Sequence, residues 1–459
     1  MKPRKHPLSW LGILLIAALL AACGSPAAAP TATSVPPTAT PVPPPPTPVS
    51  ATPVPPTVEP TPVAETPAAA PTEPHGLRPD APPYAIHGPH AVGARSFSIQ
   101  DGDHAIGAVV WYPALNPMNA SEEITYTISA TNPNVPSLWV KGMAIQDATP
   151  DTVRGPYPLV VFSPGLSGWS QENSYLLEHL ASHGLVVISS DPRGETLERF
   201  WMGAATRLID TNRLITFADE LTAKGGELAG MIDTDHVAVS GHSSGGWTAL
   251  TGGGAQLDWS WCTANPEIVA ENDLSNCTQF VPHSNEIAAL LGLDSAPTGL
   301  WPQIYDPRVD AVLALAPDGD IWGANFEGVS ALKIPTLIMV GSRDTTTDPD
   351  LGAYPIYEHL GSATKGLIKF ENGDHMIFGN QCRDMMWMVP DLFWLCSDSV
   401  WDMDRAHDLI NHFATAFLLA ELKGDADAAK ALAPENVEFT GITYESAGYG
   451  APLGATRAR

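Results

Sequence analysis

Basic residues are scarce in this chain: 23 Lys and Arg stand against 50 Asp and Glu, a formal net charge of −27 over 459 residues. A surface this acidic repels phosphate backbones, which excludes nucleic acid as a partner. Cysteine is scarce too. Five cysteines are too few for a disulfide-built scaffold and too scattered for a structural zinc site. Charged residues of both signs make up only 16%, low for a cytosolic domain. No paired C-x-x-C occurs, and Asp101-Gly102-Asp103-His104 reads as a turn, so no metal and no cofactor is expected. What the chain does have is 44% hydrophobic residues, enough for a sizeable core, and 45 prolines, roughly twice the usual share.

Most of the proline surplus sits near the N-terminus. Lys2, Arg4 and Lys5 form a cationic start, and residues 11–20 form an apolar run too short for a comfortable membrane span. The run ends in Leu20-Ala21-Ala22-Cys23, which resembles the bacterial lipobox. That resemblance implies a signal peptide over 1–23 and an acylated Cys23 as the first mature residue. The plainer alternative is a secretory signal cut after an A-x-A-like site, with Cys23 incidental. Two or three acyl chains anchor stably where one is marginal. From Gly24 to about Pro74 the chain is almost all Pro, Thr, Ala and Val, with no hydrophobic period to bury, and a disordered segment is expected over 24–83. It reads as an extended stalk with a reach on the order of 100 Å or more. The expected location is the bacterial cell surface, outside the cytoplasm and tethered to the membrane by lipid.

From Tyr84 the composition turns globular. Residues 91–100 and 105–112 read as an antiparallel hairpin around Asp101-Gly102-Asp103. The short apolar runs at 157–163, 185–189, 236–240, 309–316, 334–340 and 366–370 read as strands buried on both faces. Helical spacing fills 171–183, 208–224, 245–251 and 404–422, with Gly184 as a stop signal. Strands alternating with helices imply an α/β fold, a mostly parallel sheet covered on both faces. The domain is expected over 84–435, with an insert at about 255–305 and a loosely packed tail over 436–459. In such sheets chemistry collects at the carboxyl ends of the strands.

At one such end lies Gly241-His242-Ser243-Ser244-Gly245-Gly246, between a strand and a helix. A bare G-x-S-x-G is a weak signal, but at a strand-to-helix turn it fits a nucleophile elbow with Ser243 exposed on a tight bend. His242 reads as a packing residue. A nucleophilic serine needs a base, an orienting acid and an oxyanion hole. Gly341-Ser342-Arg343-Asp344 puts a carboxylate at one strand end, and Glu371-Asn372-Gly373-Asp374-His375 puts an imidazole after the next. Asp318, which ends the preceding strand, is a rival acid. The backbone N–H groups of Leu166, in Ser163-Pro164-Gly165-Leu166, and of Ser244 are the candidate oxyanion donors.

Together the segments PLVVFSPGLSG, GHSSGG, PTLIMVGSRD and GDHMIF resemble an α/β-hydrolase. They are most similar to the branch with platelet-activating-factor acetylhydrolases, dienelactone-hydrolase-like proteins and polyester hydrolases. The resemblance spans about Tyr84 to Leu422 and implies hydrolysis of carboxylic esters by Ser243, His375 and an acid. Dienelactone hydrolases proper use a cysteine nucleophile, so Ser243 speaks against that activity. Plasma-type acetylhydrolases take the acid from the position of Asp318 and polyester hydrolases from that of Asp344. The expected protein is a monomeric serine esterase acting on a short-acyl or lipid ester. The alternatives are a polyester hydrolase and a non-catalytic surface-binding lipoprotein on the same scaffold.

The insert carries Trp259, Trp261, Cys262, Cys277 and Trp301, and a segment after His375 carries Cys382, Met385, Met386, Trp387, Met388, Phe393, Trp394 and Cys396. In an exported protein Cys262–Cys277 and Cys382–Cys396 are the expected local pairs, out of three possible connectivities. The aromatics read either as core or as a stapled lid walling an acyl pocket.

Overall fold

Apolar runs too short for helices and rich in Val, Ile and Leu become the strands of one sheet. The computed structural model describes residues 81–102, 104–128, 138–272, 275–322, 326–385 and 390–449. Cys23, the signal segment, the proline-rich stretch to residue 80, Met386 to Met388 and the last ten residues of the tail lie outside them. In chain order the strands are β1 Ala91–Asp101, β2 His104–Ala114, β3 Ile124–Ile128, β4 Leu138–Gly142, β5 Ile145–Gln146 and β6 Tyr157–Ser163. They continue with β7 Val186–Ser190, β8 Ile232–His242, β9 Val309–Leu315, β10 Thr336–Gly341, β11 Lys365–Phe370 and β12 Ile442–Ala447. Ten of them form one mixed, mostly parallel sheet in the order β12-β11-β10-β9-β8-β6-β7-β2-β1-β5. The protein is an α/β fold.

Strands β6 to β11 are parallel neighbours. From β6 the chain moves one way to β7, then returns to β8 on the other side. The crevice beyond β6 and β8 is therefore a topological switch point, the place where such sheets bind ligands. Strands β1 and β2 pair antiparallel from Ala91↔Ala114 to Asp101↔His104. At the far edge β12 pairs antiparallel with β11, from Ile442↔Phe370 to Ala447↔Lys365. Over Ile442–Ala447 this corrects the expectation of a loose tail. Ile442, Tyr444 and Ser446 alternate toward the protein while Thr443 and Glu445 face water, the pattern of a half-buried edge strand.

Both faces of the sheet are covered. Val161, Ile188, Val239, Val312 and Ile338 face one core with helix α2 Gly203–Thr222 and helix α3 Ser244–Gly252. Their neighbours Val160, Phe162, Val187, Leu313 and Met339 face the other with α1 Ser174–Ser182 and α4 Met403–Lys423. Alternate residues of one strand thus serve two cores, which is why the strands read as unbroken apolar runs. Burying each such side chain contributes about 1.5–3 kcal/mol. Helix α1 stops where expected, with Gly184 at φ +83°, and α4 is capped by the Asp402 carboxylate accepting from Arg405 N–H.

Candidate active site

Strand β8 delivers Ser243. The residue has φ 59° and ψ −120° between the strand and α3, a conformation costly for any residue but glycine. The motif glycines follow from crowding. A Cβ at Gly241 would stand 2.3 Å from the Gly245 carbonyl oxygen, and one at Gly245 would stand 1.8 Å from that of Ser163. Ser243 N–H donates to Leu315 O at 2.9 Å, fastening the bend to the end of β9. The bend is held open by glycine and braced by the next strand.

The loops after β10 and β11 carry Asp344 and His375 and are tied to one another. Ser342 N–H donates to Phe370 O, Arg343 N–H to Gly373 O, and Thr345 N–H to the Asp374 carboxylate. Asp344 and His375 are both buried, 4% and 5% exposed. His375 Nδ1–H donates to Asp344 Oδ2 at 2.6 Å, leaving Nε2 as the basic nitrogen of the ring. The other carboxylate oxygen accepts from Thr346 N–H at 2.8 Å and Thr347 N–H at 2.7 Å, and Thr347 Oγ1 donates to Oδ2 at 2.8 Å. Burial alone would raise the carboxyl of Asp344, but His375 and these donors hold it below its ordinary value. Burial alone would likewise lower His375. Asp344 outweighs that and, with help from Glu172 and Asp374, holds the imidazole above its ordinary value.

The structure therefore joins His375 to Asp344. Asp318 lies half-buried just beyond β9. Ser243 reaches the pair through its neighbour: the His242 ring is 4.6 Å from the His375 ring, and His242 Nε2–H donates to His375 O at 3.2 Å. No hydrogen bond joins Ser243 to His375 among the described residues. Such bonds often tighten only when substrate is bound. Among the described residues neither Leu166 N–H nor Ser244 N–H has a protein acceptor, and Gly165, the residue before Leu166, lies against the bend, a Cβ built on it standing 3.6 Å from Ser243 Cβ.

Three residues that no motif indicated shape the same place. Glu172 accepts from Gly165 N–H at 2.7 Å, and its other oxygen lies 3.8 Å from His242 Nδ1. Burial would raise the Glu172 carboxyl, but His242, the Gly165 N–H and His375 bring it below its ordinary value. Arg207, on α2, is buried against Glu195 and holds the loop that follows β6. The available signal was an arginine on the core-facing stripe with Thr211, Leu214 and Ala218.

The disulfides Cys262–Cys277 and Cys382–Cys396 are both present. In the insert Trp259 stacks on Phe280 at 5.6 Å, meets Trp301 edge-on at 4.7 Å and donates Nε1–H to Ile321 O. These rings are core. Phe393 and Trp394 are exposed. His179 and His183 stand four apart on one face of α1 and its end, a metal-ligand spacing, yet they bond through Nε2 to the carbonyls of Tyr84 and Ile86. Among the described residues no three His, Cys, Asp or Glu side chains converge to hold a metal ion. No protein-family model matches this chain, and no curated protein is significantly similar to it.

Proposed function

We propose that the protein is a serine carboxylic-ester hydrolase of the α/β-hydrolase kind that works through an acyl-enzyme. One observation carries this reading. Ser243 is held at positive φ at the switch point, one residue from a ring contact with a buried, hydrogen-bonded His375–Asp344 pair. A packing turn needs neither the strained serine nor the paired imidazole.

In this mechanism His375 Nε2 takes the Ser243 proton as Oγ attacks the ester carbonyl carbon. The carbonyl oxygen becomes an oxyanion that receives the N–H groups of Leu166 and Ser244. Collapse of the tetrahedral intermediate breaks the bond to the leaving alkoxide, which takes the proton from His375. Water, deprotonated by His375, then cleaves the acyl-enzyme and restores Ser243. Asp344 keeps Nδ1 protonated and stabilises the imidazolium.

The substrate we assign is a short-acyl or lipid ester, met at a cell surface to which Cys23 tethers the domain. The insert enters this reading as a stapled cover whose inner aromatics are core, in place of a swinging lid. The test is turnover of p-nitrophenyl acetate and butyrate, an sn-2 acetyl phospholipid and a soluble polyester by the wild-type protein and Ser243→Ala. The expected result is hydrolysis of the short and lipid esters that the variant abolishes. Undiminished turnover by Ser243→Ala overturns the proposal.

A further inference from the structure

Three backbone groups of the loop after β6 precede its oxyanion donor, Pro164 O, Gly165 N–H and Gly165 O, and all three are tied to charged side chains. Arg207 Nη1–H donates to Pro164 O at 2.6 Å and to Ser163 Oγ at 3.0 Å, and Nη2–H donates to Gly165 O at 2.9 Å. Glu172 takes the Gly165 N–H from the other side at 2.7 Å. The peptide between Pro164 and Gly165 is thus held at both its oxygen and its hydrogen. The next peptide, between Gly165 and Leu166, is held only at its oxygen, which accepts from Gly168 N–H at 3.1 Å as well as from Arg207. A peptide unit is planar, with C=O and N–H opposed, so fixing the Gly165 oxygen fixes the direction of the Leu166 hydrogen.

We infer that Arg207 is a positioning residue that aims the Leu166 N–H into the oxyanion hole through the far end of its own peptide plane. The inference rests on the esterase reading above. The guanidinium suits this task because its donors form a rigid planar fork able to grip two successive carbonyls at once. Its own orientation is set by Glu195, whose two oxygens accept from Nε–H at 3.2 and 3.0 Å. Both side chains of the pair are buried, 2% and 0% exposed, so the grip is not loosened by water. A cation on the carbonyl oxygen also polarises the amide and makes its N–H a better donor. A salt bridge kept only for stability needs no contact with the catalytic loop, since apolar pairs fill such space at least as well. Here three of the guanidinium contacts go to the three residues that precede Leu166.

The test removes both charges together in the full-length protein, as Arg207→Met with Glu195→Met, so that no lone buried charge remains. Near-UV circular dichroism checks the fold, and kcat and KM are measured separately on p-nitrophenyl acetate. Removing an oxyanion donor outright costs about 100- to 1000-fold in kcat. Misaiming one should lower kcat by roughly 10- to 100-fold with KM within about twofold. Inhibition by a butylboronic acid, which presents a tetrahedral oxyanion, should weaken by a similar factor. A folded double variant with kcat within twofold of wild type, or one changed only in KM, overturns the inference. Should the double variant lose its fold, Arg207→Lys carries the same kcat criterion, because one ammonium cannot span both carbonyls. Failure of the esterase reading is distinct: the wild-type protein then turns over no ester, and the positioning role falls with it.

Discussion

Replacing Asp344 by asparagine changes one oxygen into a nitrogen and should reverse the direction of the hydrogen bond on which His375 depends. Asp344 Oδ1 accepts two backbone N–H groups, from Thr346 and Thr347. The amide oxygen of the variant must stay there, because an NH2 facing two donors would be repelled. Its NH2 then faces His375 Nδ1, where Oδ2 now accepts at 2.6 Å. Nδ1 must become the acceptor, so the proton moves to Nε2. A ring protonated at Nε2 cannot take the proton of Ser243. The expected loss is about 10⁴-fold in kcat, as for the same change in other triads, or about 5 kcal/mol of transition-state stabilisation. Steady-state hydrolysis of p-nitrophenyl acetate measures it, with near-UV circular dichroism to show that the buried site is intact. Asp318→Asn is the companion variant and should stay within about tenfold of wild type. Asp344→Asn within tenfold of wild type, or a collapse in Asp318→Asn alone, refutes the reasoning.

Three further outcomes follow from the geometry. Since Asp344 holds protonated His375 above the usual histidine range, and only the neutral ring is a base, kcat/KM should rise with pH through a midpoint above about 6.5; a pH profile with its midpoint below 6 contradicts this. Burial pushes the Glu178 carboxyl up to about 7, while it accepts from Met143 N–H and Tyr126 Oη–H. The folded chain therefore binds a proton there that the unfolded chain has already released. Stability from this group is present below about pH 4 and is lost as pH rises toward 7, by on the order of 3 kcal/mol. Urea unfolding at pH 5 and pH 8 should show that loss in wild type and not in Glu178→Gln, and equal slopes in both proteins count against it. Replacing Cys262 and Cys277 together by serine opens a 15-residue loop and should cost about 3 kcal/mol in the same assay; no change in midpoint contradicts the staple.

Much of the fold was legible because the central strands are buried on both faces. Segments such as Leu159 to Phe162 and Leu337 to Val340 had to be unbroken apolar runs, and they announced a parallel sheet. The elbow was legible for a steric reason: Gly241 and Gly245 stand where a Cβ would strike backbone. Helix α2 begins at Gly203, earlier than the expected 208, because Ala204, Ala205 and Arg207 continue the buried stripe through residues that look unremarkable in sequence. The edge strand β12 was missed although Ile442, Tyr444 and Ser446 alternate, since a short half-polar run beside a glycine reads as tail. The partner of His375 was open between two acids in sequence and is Asp344 in space, where Thr346 and Thr347 supply its donors. Glu172 was illegible, and Arg207 showed only as an arginine on the core-facing stripe of α2. Their hydrogen bonds to Gly165 span 7 and 42 residues of chain, and no local pattern encodes those pairings.

The most direct measurement is mass spectrometry of the protein after exposure to a fluorophosphonate, which reacts only with an activated serine. The account predicts one adduct per chain, located on the peptide containing Ser243 and absent from both Ser243→Ala and His375→Ala. An unmodified wild-type protein, or an adduct that persists in Ser243→Ala, contradicts it.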